Sequence, residues 1–366
     1  MDTEHLATQP AREIACDESG WEGANLVAGS SDVVAYASVR LSAETAAECM
    51  HKLSVRPGHS GHQRARECKA SHVLRAGRRS TVRWLLGPDG PLYGNASVHL
   101  TEKAYFVVGR AIDLFLGHST DAASAGLVVD QRLAAMALTI CRQGPAAFGD
   151  DRWRAFLVAA NAVLRTWKPR NVREPVDDFA GLVEALRQLG DDDRVNAILD
   201  ELRQARPNAY AARARLLDNR VVQPALEPLI PALASTILHW ARAGHPISIV
   251  HDEQSALTER RVRRLERQLL PYGQPLAFRQ VDSRSDARVQ VADVLAGVAR
   301  RVAADELRGP GAGELGGWLR PYVDPTSRWC DERSWARLAP TGPAASGHRT
   351  HPDPLGRPGA APPSAR

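Results

Sequence analysis

Ile14-Ala15-Cys16-Asp17-Glu18-Ser19-Gly20 and Pro246-Ile247-Ser248-Ile249-Val250-His251-Asp252-Glu253 share one design, an apolar run that ends in an acidic pair. A short apolar run closed by turn formers reads as a strand of a buried sheet. Ligands of α/β sheets collect outside the carboxyl ends of the strands. The two stretches therefore predict strands over 13–17 and 246–252, with Asp17 and Asp252 as candidate metal-binding carboxylates at their ends. Successive strand residues point to opposite faces, so Asp17 and Glu18 share a ligand set only if the strand has already bent. Asp17 is the first candidate and Glu18 an additional one. Turn formation by Asp, Ser and Gly, or capping of the next helix by Asp252 or Glu253, accounts for the same residues without chemistry.

Around these strands the periodicity alternates between about two and about 3.6 residues. Strands are predicted over 32–41, 96–100 and 276–281, and helices over 43–53, 72–86, from 101 to 116, 256–270 and 288–304. From 121 to 244 the pattern is helical throughout, with helices near 128–142, 150–166, 176–189, 193–205 and 225–243. The expected organisation is an α/β core in two parts, 12–120 and 245–305, interrupted by an all-helical insertion over 121–244 and followed by an extension over 306–339. The ends, 1–11 and 340–366, have little that can bury surface and are expected to be disordered.

At 366 residues and 44% hydrophobic content the chain can bury a large core. A net charge of +5 permits an anionic partner without demanding one. The five cysteines form no C-x-x-C pair, which fits a reducing, cytoplasmic setting and argues against a tetrathiolate zinc site. No segment approaches about twenty uninterrupted apolar residues, so no membrane span is expected. Phosphate-loop, dinucleotide and serine-hydrolase motifs are missing where they would matter.

Three further segments carry candidate chemistry. Asp293 is embedded in the apolar helix Val289-Gln290-Val291-Ala292-Asp293-Val294-Leu295-Ala296-Gly297-Val298, where an unpaired charge is costly and calls for a partner, a metal or water. Gln290, Asp293, Gly297 and Arg300 share one helical stripe, and the mid-helix glycine implies a close approach by something. Glu67 and Lys69, in Arg66-Glu67-Cys68-Lys69, share a face on an extended segment and would pair a metal carboxylate with an ammonium near a scissile phosphate; a surface ion pair is the bland reading. Arg260, Arg263, Arg264 and Arg267 form a stripe opposite Val262, Leu265 and Leu269, fit to follow a phosphate backbone or simply to be a solvated face.

In order, Asp17-Glu18-Ser19-Gly20, Glu67-x-Lys69, Asp252-Glu253 and Gln290-Val-Ala-Asp293-Val-Leu-Ala-Gly297 resemble the motifs of the family called domain of unknown function 3800. Ser283 and Ser285 are similar to the serine that commonly precedes its closing helix. The resemblance implies a ribonuclease H-like mixed sheet flanked by helices, in which strand-end and helix acids bind divalent metal for phosphodiester cleavage. Hard carboxylates suit Mg²⁺ or Mn²⁺. Asp17, Asp252 and Asp293 are then metal ligands, Glu18 or Glu67 an added one, and Lys69 a cation for the transition state. The expected function is a metal-dependent nuclease with nucleic acid as partner. The alternatives are a non-catalytic module that binds nucleic acid or protein on the same fold, and a P-D-(D/E)-x-K type nuclease built on Asp17, Glu67 and Lys69 in which Asp293 is dispensable.

Overall fold

The computed structural model describes residues 11–54, 68–75, 77–117, 126–127, 129–166, 172–218, 225–241, 245–272, 276–309 and 311–340. Five strands, β1 (Arg12–Ser19), β2 (Val33–Val39), β3 (Ala96–Glu102), β4 (Ile247–Asp252) and β5 (Leu276–Val281), form one mixed sheet in the order β3-β2-β1-β4-β5. The pairs β1–β2 and β2–β3 are antiparallel, whereas β1–β4 and β4–β5 are parallel. The protein is thus α/β, with the two quoted stretches adjacent at the centre of the sheet.

Alternation along the strands separates two faces. Ala15, Ala35, Ala37, Val98 and Val250 belong to one core, packed under α1 (Ala43–Ser54) and the long helix α12 (Ala287–Arg308). Ile14, Cys16, Val34, Tyr36, Ile247 and Ile249 belong to another, covered by α10 (Leu229–Ala241) and α11 (Glu259–Leu269). Small residues in β1 and β2 let α12 lie close to the sheet, and its own face toward them is almost wholly Val, Ala and Gly.

A third core belongs to helices α4 (Lys103–Leu116), α5 (Gln131–Phe148), α6 (Asp150–Leu164), α7 (Arg173–Leu189), α8 (Asp193–Gln204) and α9 (Arg206–Asp218). The helix that follows β3 directly, α4, is also the centre of this bundle, since it packs on α5, α6, α8 and α9. The bundle is therefore rooted in the sheet. The helix α10, inside the stretch read as insertion, instead covers the sheet's second face.

Three elements differ from the sequence reading for identifiable reasons. The predicted helix 72–86 is divided into α2 (Ala70–Val73) and α3 (Arg79–Leu86), with Gly77 between them at φ +92°, outside the right-handed helical region. Helix α9 was not expected, because Pro207 reads as a stop; it stands in the first turn, where its missing N–H costs little. In α5 the chain stays helical through Pro145, and the turn is closed by the Gly149 N–H to the Pro145 carbonyl at 3.0 Å.

After α12 come α13 (Glu314–Leu319) and α14 (Glu332–Leu338), both packed on α12. Between them the chain follows the outer edge of β3, with Asp324 N–H donating to the Val98 carbonyl and Arg328 N–H to the Leu100 carbonyl, each at 2.8 Å. This covers an edge that would otherwise offer unpaired backbone groups. All five cysteines are free and buried. Among the described residues no helix is long and apolar enough to cross a membrane. Most of the ends expected to be disordered, 1–10 and 341–366, lies outside the described residues.

Candidate carboxylate site

The β1–β4 register pairs Ala15 with Val250 and Cys16 with His251. The next residue on each strand is Asp17 and Asp252, so these two acids are neighbours on the face that looks toward α12. Asp293 is on that helix, half-buried, on the stripe that meets the strand ends. Asp17 is buried, and its carboxyl is pushed well above the usual range, first by burial and then by the negative charges of Glu18, Asp293 and Asp252. Glu18 is raised as well, by burial and then by Asp252 and Asp293, against the hydrogen bond from Gln254 that lowers it. The charges that bear most on Asp17 and Glu18 are therefore other acids rather than arginines. Like charges held together this way are a mark of functional sites.

Glu18 occupies the other face. Its cross-strand neighbour is Tyr36, and its carboxylate accepts from the Gln254 amide in the loop after β4. The expectation that adjacent acids point apart thus describes β1, although their charges still reach one another.

The surrounding residues hold the acids in place. Asp17 Oδ1 accepts the Glu18 N–H at 2.7 Å, and Asp252 Oδ1 accepts the Ser283 N–H at 2.9 Å. Gln290 Nε2 donates to the Ser283 carbonyl at 2.9 Å, which ties the start of α12 to the end of β4. Arg300 Nε donates to Ser19 Oγ at 3.0 Å, two helical turns beyond Asp293. Gly20 turns the chain at φ +95°, and a Cβ there would lie 2.3 Å from the Val33 carbonyl oxygen and 2.6 Å from the Arg300 side chain. The close approach implied by Gly297 is to Ala70, whose Cβ would be 2.4 Å from one built on Gly297. The Gln290-Asp293-Gly297-Arg300 stripe accordingly faces the candidate site along its length.

Lys69 is exposed and immediately precedes Ala70; the charge of Asp293 reaches its neighbour Cys68. The segment carrying Lys69 is thus brought beside Asp293, while Glu67 lies outside the described residues. Glu102, at the end of β3, is structural: it accepts the Cys330 N–H at 2.8 Å and the Cys330 thiol at 3.0 Å.

On α11, Arg260, Arg263 and Arg267 are exposed and Arg264 is half-buried, with Val262, Leu265 and Leu269 buried opposite. Arg263 is paired with Glu259. With Glu259 and Glu266 the three exposed arginines line a depression of about 540 Å³, and a second, of about 580 Å³, continues between α11 and β5 to Gln254. The stripe is not brought into the carboxylate cluster; the groove it flanks reaches Gln254, which donates to Glu18.

Among the described residues no three His, Cys, Asp or Glu side chains are gathered closely enough to enclose a metal ion. Comparison with protein families, with curated proteins and with solved structures found no match. Sequence reading overlooked His251 and Gln254, although His251 stands inside the quoted stretch. The signal at hand was its place in the β4 alternation, one residue before Asp252 and so on the face of Glu18.

Proposed function

We propose that this chain is a divalent-metal-dependent nuclease that hydrolyses phosphodiester bonds, on a ribonuclease H-like core of the domain of unknown function 3800 type. The observation that carries the reading is that Asp17 and Asp252 end neighbouring strands on the face toward the helix of Asp293, with Asp17 raised by burial and then by the charges of Glu18, Asp293 and Asp252. Hard carboxylates at these positions fit Mg²⁺ or Mn²⁺, which would relieve the like-charge repulsion felt by Asp17. When bound, such ions supply Lewis-acid stabilisation of the scissile phosphate and a water of lowered pKa. The mixed sheet with helices on both faces is consistent with the fold that the resemblance implies.

The chain's own groups would orient this chemistry. Ser283 N–H fixes one oxygen of Asp252, and Gln290 fixes Ser283. Arg300 holds the Ser19–Gly20 turn that follows Asp17. Lys69 is exposed beside the Asp293 segment and is the candidate cation for the transition state, with Glu67 as a further ligand. The groove along Arg260, Arg263 and Arg267, with Arg264 on the same helix, is the candidate path for the nucleic-acid backbone.

One observation favours the non-catalytic binding module: Asp252 Oδ1 already serves a backbone N–H, as a purely structural acid would. The test is cleavage of labelled single- and double-stranded DNA and RNA with Mg²⁺ or Mn²⁺, using wild type, Asp252→Asn and Asp293→Asn. Loss of more than about 100-fold in both variants is expected for ligands. Retained cleavage in Asp293→Asn would shift the assignment to the Asp17, Glu67 and Lys69 site. Absence of cleavage by folded, metal-loaded wild type would leave the binding module.

A further inference from the structure

Behind the sheet, on the face away from α12, lies a polar group that the nuclease reading leaves unused. Glu18 is paired across β1–β2 with Tyr36, and His251 lies beside Cys16 in the β1–β4 register. Both rings are fully covered, His251 at 0% and Tyr36 at 1% exposure. Glu18 Oε2 and His251 Nε2 are each buried without a hydrogen-bond partner among the described residues. Buried polar atoms are rarely left so, and a bound ion or water is a standard reason.

The orientation of the imidazole narrows the choice. His251 Nδ1 is 2.8 Å from the Asp252 carbonyl oxygen, which can only accept, so Nδ1 carries the hydrogen and in the neutral ring Nε2 presents a lone pair. That lone pair faces Glu18 Oε2 at 3.7 Å. Two acceptors facing each other in a buried site call for a proton, a water or a metal ion between them. A separation of 3.7 Å is too long for a direct hydrogen bond, yet it suits two ligands of one ion with bonds of about 2.0–2.2 Å and an open angle between them. Metal-bound histidines commonly donate their other N–H to a backbone carbonyl or carboxylate, as His251 does. The second oxygen of Glu18 is held by Gln254.

We propose that Glu18 and His251 form a transition-metal site on the back of the sheet, distinct from the hard-oxygen acids on its front. An imidazole selects ions of the Zn²⁺, Co²⁺ or Ni²⁺ class over Mg²⁺. Two protein ligands converge here, and water carried in with the ion would complete the coordination. The proposal does not depend on nuclease activity.

The experiment is a Co²⁺ titration of the full chain followed by visible absorption, with Zn²⁺ as competitor. One Co²⁺ is expected to develop d–d bands that Zn²⁺ abolishes. The bands persist in Asp293→Asn, which tests the front site separately, and affinity falls at least about 100-fold in Glu18→Gln and His251→Phe. The phenylalanine keeps an aromatic ring beside Tyr36 and Phe278, which contact the imidazole at centroid distances of 5.4 and 6.2 Å. Unchanged Co²⁺ bands in either folded variant overturn the proposal, as does a folded wild type that binds neither Co²⁺ nor Zn²⁺, since a proton then fills the gap. If both variants fail to fold, X-ray absorption of the Zn²⁺-loaded wild type decides, and a spectrum without imidazole scattering overturns the assignment.

Discussion

The two faces at the carboxyl ends of β1 and β4 carry the same elements of sequence and opposite chemistry. The front carries Asp17 and Asp252 at neighbouring strand ends, on the face that looks toward the helix of Asp293. The back gathers Glu18, His251 and Tyr36, covered by α10 and α11 in an otherwise apolar core. One residue of register separates them. A strand that alternates every residue can thus deliver a hard and a softer donor set from adjacent positions, and which set serves a reaction depends on what covers each face.

The largest expected effect separates the faces by rate. Asp17→Asn should reduce metal-dependent cleavage by more than about 100-fold, measured at saturating Mg²⁺, while leaving the Co²⁺ bands of the back site in place. Loss of both signals in a folded variant would merge the two sites into one.

The next concerns the back face and pH. Glu227, just before α10, is buried and accepts the Leu229 N–H at 2.7 Å. Burial is the main cause of a pKa raised to about 7, with the Glu18 charge adding to it. A carboxyl whose folded pKa is raised contributes stability that is complete below its unfolded pKa and is lost as pH rises through the folded one. Wild type should therefore lose stability between about pH 4.5 and pH 7 relative to Glu227→Gln, by up to about 3 kcal/mol. Urea melts of the two proteins across that range check it, and parallel curves would place the charge of Glu227 in a better-solvated setting.

A smaller effect tests the approach that brings Asp293 to the front. Gly297→Ala gains helix propensity of about 1 kcal/mol, yet places a Cβ against Ala70. A net destabilisation of about 1–3 kcal/mol is expected in chemical denaturation, from overpacking. A stabilised variant would mean that α2 yields freely and does not hold the Lys69 segment in place.

The smallest effect is at the groove. Arg260→Ala and Arg267→Ala should each weaken binding of a labelled oligonucleotide a few-fold, with little dependence on its sequence, and lower the salt slope by about one for each phosphate left without its arginine. An unchanged slope would make the stripe a solvated helix face.

Much of this was legible in the chain. The two acidic strand ends, the alternation read in 32–41 and 96–100, which the structure forms as Val33–Val39 and Ala96–Glu102, and the apolar helix around Asp293 all announced themselves, because period and punctuation are local properties. The stripe of Gln290, Asp293, Gly297 and Arg300 was also readable, and Gln290, Gly297 and Arg300 tie it to the segments around the strand ends. Less legible were the break at Gly77 and the start of α9 at Arg206, where one residue's backbone preference outweighs a periodic pattern.

The sequence by itself determined an α/β chain with acids at the ends of two strands, since apolar periodicity and turn chemistry act over a few residues. Only the tertiary structure decided which strands are neighbours, that Asp17 faces Asp252 while Glu18 faces His251, and that α10 closes the back of the sheet. The reason is that strand register and helix placement are set by burial across the whole core. A shift of one residue would exchange the two faces with no change in local propensity.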